Sequence, residues 1–169
     1  MLTQRVTIAQ NSLSKAISIA VQAHAGQKDL VGEPYISHPI RVMQRINNYD
    51  TQIVAVLHDV IEDHPSFKEV ITNTFFSSTL DALLLLNRKE SKFKSYFDYI
   101  DNIIKSKDDI AIAVKYFDLI DNLDLTRFTR NGIEITESVL LRYNKYLESK
   151  IRIEQKYISK FKLGISDNT

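Results

Sequence analysis

The sequence predicts an all-α fold, one domain of about seven or eight helices, on three observations. Apolar residues recur at three- and four-residue spacing through most of the chain, and no segment alternates convincingly with the period of a strand. Only four Gly and three Pro are present, too few to punctuate a many-stranded sheet with turns. A chain of 169 residues is one compact domain by default, and 44% hydrophobic beside 25% charged residues leaves a core to bury.

Residues 11–25 place Leu13, Ala16, Ile17, Ala20 and Ala23 on one helical face, and the pattern ends at Gly26. Residues 26–39 concentrate two Gly and two Pro and read as a structured loop. Pro39 then suits the first turn of a helix over 40–46, because its missing N–H costs nothing there. Asp50 or Thr51 can cap the next helix, 52–62, which stops before Pro65. Ser66 starts another, and helical periodicity continues through 67–75, 80–86 and 96–104. Asp108 and Asp109 lead into the apolar face of Ile110, Ala113, Val114 and Phe117 as N-terminal helix residues.

The last helix, 138–161, carries Leu141, Tyr143, Tyr146 and Leu147 and then turns basic. Its Lys145, Lys150, Arg152, Lys156, Lys160 and Lys162 alternate with Tyr146, Tyr157 and Phe161. They read as a solvated face over aromatics packed on the core, with an RNA-binding helix as the alternative. The domain is expected to span residues 1–163, with 164–169 a frayed tail.

Twenty-two Lys and Arg against 21 Asp and Glu give a net charge of +1, so no global field draws the chain onto nucleic acid or an anionic membrane. Zero Cys excludes a disulfide framework, thiolate metal sites and cysteine nucleophiles, and fits a reducing compartment. Residues 1–25 lack the continuous apolar run of a signal peptide or membrane span, so the cytoplasm is the expected address.

The most informative stretch is 53–63, IVAVLHDVIED. On a helix, His58, Asp59, Glu62 and Asp63 share one sector through three- and four-residue spacing, opposite Ile53, Val56, Leu57 and Val60. Carboxylates near a helix C-terminus are each disfavoured by about 0.3–1 kcal/mol. Three acids alone read as a solvated helix end, but His58 beside Asp59 on an apolar helix favours a metal site, imidazole and carboxylate being a ligand set for Mn, Fe or Zn. Other ligands must come from elsewhere. His38 stands on a rigid perch between the Gly- and Pro-containing loop and Pro39, although alone it would read as a structural histidine. Asp118, Asp121 and Asn122 share a face at the end of a second apolar helix, where a carboxylate is costly unless paired or bound to metal. His24 reads as structural and His64 as exposed.

The order His38, His58-Asp59, Asp118 resembles the H…HD…D signature of the HD phosphohydrolase superfamily. More narrowly, GEPYISHP at 32–39, HDVIED at 58–63 and KYFDLIDN at 115–122 resemble the hydrolase domain of the Rel/SpoT alarmone enzymes and the stand-alone small alarmone hydrolases. The resemblance runs over residues 16–128. It implies a helical HD domain holding one divalent metal, usually Mn²⁺, through His38, His58, Asp59 and Asp118, with Glu62 and Asp63 beside it helping to activate water. The implied reaction removes pyrophosphate from the 3′ position of guanosine tetra- or pentaphosphate. Lys28, Asp29, Tyr35, Lys89, Asn122 and Arg127 are the expected substrate contacts, and Arg88, Lys115 and Arg130 are further cations available to polyphosphate.

Two departures bear on the substrate. Where the alarmone hydrolases carry basic residues before GEPY, this chain has Asp29 and Leu30, and their Asp-Arg-x-His-Asn becomes Asp118-Leu-Ile-Asp121-Asn122. A phosphohydrolase for a different nucleotide, or a silent nucleotide-sensing module, is therefore the alternative. The long Rel/SpoT proteins add a synthetase domain for which 169 residues leave no space, so synthesis is not expected. A phosphorylated nucleotide is the expected partner, with neither stable nucleic-acid nor membrane association.

Overall fold

The computed structural model describes residues 2–89 and 93–161; the expected tail at 164–169 and Lys162 lie outside the described residues. In order come α1 (Leu2–Ala23), α2 (Ser37–Gln44), α3 (Tyr49–Leu57), α4 (Val60–Asp63), a 3₁₀ turn (Pro65–Phe67) and α5 (Lys68–Thr74). They are followed by α6 (Ser77–Leu86), α7 (Tyr96–Ser106), α8 (Asp109–Asn122), α9 (Thr126–Arg130) and α10 (Glu137–Phe161). The all-α class is as the periodicity predicts. The number of helices exceeds seven or eight because the helix expected over 52–62 is two, α3 and α4, and a short α9 follows α8.

Helix α3 is the centre of the bundle. It packs against α1, α2, α6 and α8, and Ile53, Val54, Ala55, Val56 and Leu57 are all buried, as a helix that is apolar all round must be. Its cap is Asn48 rather than Asp50 or Thr51: Asn48 has extended backbone and its side chain accepts from Thr51 N at 3.0 Å. Asp108 caps α8 in the same way, accepting from Ala111 N at 2.8 Å.

Helix α10 closes the bundle over α7 and α8, with Ile153 fully buried and the Tyr157 hydroxyl donating to Ile104 O at 2.7 Å. Lys150 pairs with Glu154 at 2.6 Å and Arg152 with Glu148 at 2.8 Å, and both cations are half-buried on aromatic rings of the adjacent helices, Lys150 over Tyr116 and Arg152 over Phe97. Tyr146 and Tyr157 pack on the core as expected, while Lys145, Lys150 and Arg152 are half-buried and Lys156 is exposed. Among the described residues no helix is long and apolar enough to cross a membrane.

The loop between α1 and α2 folds back on itself. Asp29 N donates to Glu33 O and Tyr35 N to Gln27 O, each at 2.9 Å, and the reversal needs Gly32 at φ +83°, a region disfavoured for residues with a Cβ. Pro39 occupies the first turn of α2, as its missing N–H allows. Burial of α10 through Ile153 makes a direct stability test. Ile153→Ala should lower the unfolding free energy by about 2–5 kcal/mol in a denaturant titration, the range for emptying a well-packed aliphatic site; a surface-like change below about 0.5 kcal/mol would contradict the docking of α10.

Candidate metal centre

Four elements bring the expected ligands together. His38 comes from the first turn of α2, His58 and Asp59 from the junction of α3 and α4, and Asp118 from the last turns of α8. His38, His58 and Asp118 are buried and offer one ligand atom each within 4.8 Å of one another. Asp59 joins them, its Oδ2 3.1 Å from His58 Nε2 and 3.6 Å from His38 Nε2. The helical hydrogen bonding resumes at once beyond the junction, with Asp63 N donating to Asp59 O at 2.9 Å.

Both imidazoles are oriented by their other nitrogen. His58 Nδ1 lies 2.8 Å from Ala55 O and His38 Nδ1 lies 2.7 Å from Asp121 Oδ2, and both acceptors require an N–H at Nδ1. Each Nε2 therefore faces the carboxylates of Asp59 and Asp118. The Nε2 of His58 is buried without a well-directed hydrogen bond, although Asp59 Oδ2 stands 3.1 Å and Asp118 Oδ1 3.7 Å away. Two imidazole lone pairs and two carboxylates aimed at one point fit a divalent N/O-ligated cation, and the carboxylate behind His38 is the usual support of a metal-bound histidine.

Each ligand has a further partner. Arg41 holds Asp121 through Nε to Oδ1 at 2.8 Å and Nη2 to Oδ2 at 2.9 Å. The Tyr35 hydroxyl donates to Asp59 Oδ2 at 2.6 Å. Asp118 accepts from Lys115 Nζ on Oδ2 at 2.7 Å and from Asn122 Nδ2 on Oδ1 at 2.6 Å. Tyr35 and Asn122, expected at the substrate, thus act first on the ligands, although both line the cavity above them.

Burial alone would depress both imidazoles, but Asp118 and Asp121 around His38, and Asp59 and Asp118 around His58, outweigh it and raise both above their ordinary value. Conversely, His58 and His38 hold Asp59 below the usual carboxylate range despite its burial, and Lys115 with the two imidazoles does the same for Asp118. A metal ion held there would compete with protons for the same Nε2 atoms.

A cavity of about 360 Å³ opens over the cluster. Glu62 and Asp63 both line it. Glu62 Oε2 accepts from Arg88 N at 2.8 Å, while Asp63 is clamped by Lys89 Nζ at 2.9 Å and Gln27 Nε2 at 3.1 Å. Lys89, expected to meet substrate, is instead committed to Asp63 and is not part of the cavity wall. Lys28, Asp29 and Arg127 do line it. Asp29 Oδ1 accepts from Val31 N at 3.0 Å and Glu33 N at 2.9 Å, and its Oδ2 meets Arg127 Nη1 at 3.2 Å. The acid in place of a basic residue therefore builds the loop and carries a guanidinium to the cavity from α9. Arg130 packs locally on Thr126 instead, away from the cavity wall.

His24 is structural, buried with Nδ1 2.7 Å from Gln27 Oε1. His64, expected to be exposed, is half-buried against the His24 ring and bonds the same Gln27 oxygen at 2.9 Å. Arg41 is the residue the sequence reasoning missed. Its position one helical turn after His38 was the available signal.

No family model matches the chain. The bifunctional (p)ppGpp synthase/hydrolase SpoT of Escherichia coli strain K12 is 32% identical over 124 residues, covering 66% of this chain and 17% of the relative. A guanosine-3′,5′-bis(diphosphate) 3′-pyrophosphohydrolase of Haemophilus influenzae is 31% identical over 118 residues, 62% of this chain and 17% of that protein. One of the same name from Borreliella burgdorferi is 36% identical over 93 residues, 51% and 14%. The chain spans about a sixth of the length of these relatives. It is related to the Rel/SpoT hydrolases, in an HD-type arrangement.

Two measurements probe the centre. Asp121→Asn keeps an acceptor for His38 but removes the charge behind it, and should weaken Mn²⁺ binding by about 10–100-fold in a calorimetric titration; unchanged affinity would remove Asp121 from the support of the site. The raised imidazoles stabilise the metal-free fold fully at low pH, below their ordinary value of about 6.5, and this contribution is lost as pH rises through their folded values. The melting temperature of chelator-treated protein should therefore fall with rising pH above neutrality. That of Mn²⁺-loaded protein should not, and parallel curves would contradict the shared Nε2 site.

Proposed function

We propose that the chain is a metal-dependent phosphohydrolase that removes the 3′-pyrophosphate of guanosine 3′,5′-bis(diphosphate)-type nucleotides, with Mn²⁺ as its ion. The observation that carries this reading is the convergence of two oriented Nε2 atoms with Asp59 and Asp118 beneath a cavity also lined by Glu62 and Asp63. The names of the relatives supply the substrate class.

His38, His58, Asp59 and Asp118 would hold the ion, which when bound neutralises phosphate charge and lowers the pKa of water. Asp121, Lys115, Asn122 and Tyr35 keep those four side chains aimed. Glu62 takes the proton of the attacking water, a role that needs hydrogen-bond reach and not metal ligation. Water oxygen bonds to the phosphorus next to the sugar, the bond from that phosphorus to the 3′ oxygen breaks, and a proton passes to that oxygen. The products are pyrophosphate and a 3′-hydroxyl. Asp63, fixed by Lys89 and Gln27, lines the cavity with Glu62 and joins it in activating the water.

A different phosphorylated nucleotide is the second reading, favoured by Asp29. Its oxygens are taken up by the loop and Arg127, and its neighbour Leu30 is 62% exposed, so this end of the cavity offers no cation from those two positions.

Purified protein with Mn²⁺ should release pyrophosphate from ppGpp or pppGpp in a panel that includes ppApp, NADPH and nucleoside triphosphates. Turnover of another member alone would establish the second reading, and tight binding without turnover of any would make the chain a sensor. Glu62→Gln should retain the metal and lose about 10²–10⁴-fold in turnover. An unchanged rate would take Glu62 out of the mechanism.

A further inference from the structure

Asp63 is held from two sides, and the two holds are unequal. Its Oδ1 accepts from Lys89 Nζ at 2.9 Å, but that lysine side chain is 58% exposed, and a solvated ion pair on a long side chain fixes little. Its Oδ2 accepts from Gln27 Nε2 at 3.1 Å, and Gln27 is half-buried with each of its polar groups engaged. The Gln27 N donates to His24 O at 3.1 Å and the Gln27 carbonyl accepts from Tyr35 N at 2.9 Å. The turn between His24 and Gln27 needs Gly26 at φ +78°. The side-chain oxygen of Gln27 meets His24 Nδ1 at 2.7 Å and His64 Nε2 at 2.9 Å.

The polarity of Asp63 places the protons of this cluster. An ionised carboxylate only accepts, so the Gln27 atom facing Asp63 is the N–H and the atom facing the two imidazoles is the oxygen. That oxygen also only accepts, with room for two donors, so His24 carries a proton on Nδ1 and His64 one on Nε2. Burial lowers the pKa of His24 and keeps its ring neutral. His24 Nε2 is then a bare lone pair, which fits its burial without a hydrogen-bond partner. We propose that His24 and His64 are positioning residues for Asp63, which donate together to the one oxygen of Gln27 and so hold its amide with the N–H on the second carboxylate of the acidic pair. Turned over, the amide would set oxygen against carboxylate and N–H against both imidazole donors, so three hydrogen bonds resist the reversal at once.

The same turn reaches the metal centre. Tyr35, whose N bonds Gln27 O, packs on the His24 ring with centroids 4.9 Å apart and donates its hydroxyl to Asp59. The His64 ring closes the cluster from the other side, 5.2 Å from that of His24 and nearly perpendicular to it. The end of α1 thus anchors Asp59 and Asp63 together, although neither His24 nor His64 lines the cavity. For its effect on turnover the inference rests on the phosphohydrolase reading; the hydrogen-bond arrangement does not.

The test has one arm without turnover and one with it. Long-range nitrogen–proton NMR correlations of the chelator-treated protein should show His24 as the Nδ1–H tautomer and His64 with a proton on Nε2. Asp63→Ala, a change at a half-buried side chain, frees the amide to turn over and should convert at least one of these rings to a mixture of tautomers. Other tautomers in the parent, or both imidazoles unchanged by Asp63→Ala, would overturn the proposal. In Mn²⁺-dependent hydrolysis of ppGpp, or of whichever panel nucleotide is turned over, Gln27→Met should lower kcat by about ten-fold or more with KM and Mn²⁺ affinity unchanged, since a misplacement of about 1 Å can cost about 10²-fold. His64→Phe should also lower kcat, and combined with Gln27→Met it should add nothing, because both act on the same carboxylate. Losses that multiply, or a Gln27→Met protein with full kcat, would overturn the proposal. The expected tautomers and their response to Asp63→Ala, in a protein that turns over no nucleotide of the panel, would overturn the hydrolase reading alone.

Discussion

The pairing of Asp121 with His38 and Arg41 is the contact on which the site depends. It joins the first turn of α2 to the end of α8 over 83 and 80 positions of sequence. One carboxylate does two things there. It fixes the proton of His38 on Nδ1 and turns Nε2 toward Asp118, and its bidentate bond to Arg41 balances a charge that burial would otherwise make costly. Helix α3, apolar on every side, supplies the rigid floor against which α2 and α8 both pack. The centre is built on helices whose positions are set by the core, which is what a metal site needs to keep its geometry.

Around that core the charges are distributed with purpose. The carboxylates of Asp59, Glu62, Asp63, Asp118 and Asp121 would repel one another, so Lys115, Lys89, Arg41 and the imidazoles each meet one of them. At the centre, the buried Nε2 of His58 has no hydrogen-bond partner, which supports the reading of this cluster as a cation site. The near-neutral total charge conceals this local arrangement.

The helices were legible because each carries a three- and four-residue apolar period, and the ligands because HD, GEPY and the acidic end of α8 are local patterns. What sequence reading lacked was long-range pairing. Nothing near Asp29 announces that it will meet Arg127, 98 positions away, nor that Lys89 will spend its charge on Asp63. Those partners are chosen by packing of distant helices, not by spacing along one. The division of 52–62 into α3 and α4 was hidden for a related reason: His58 and Asp59 keep right-handed backbone, so the four-residue spacing looks the same on either side of the break. His64 was misplaced because its burial depends on Gln27, brought over from the loop before α2.

The central claim is that the His38, His58, Asp59 and Asp118 cluster binds one divalent ion and that hydrolysis needs it. Its most direct measurement is pyrophosphate release from guanosine 3′,5′-bis(diphosphate) while Mn²⁺ is titrated into chelator-treated protein, alongside His58→Ala. Activity should be absent without metal, rise to a plateau near one equivalent per chain, and stay absent in the variant at that stoichiometry. Equal turnover with and without metal, or a His58→Ala protein restored at the same stoichiometry, would contradict the account.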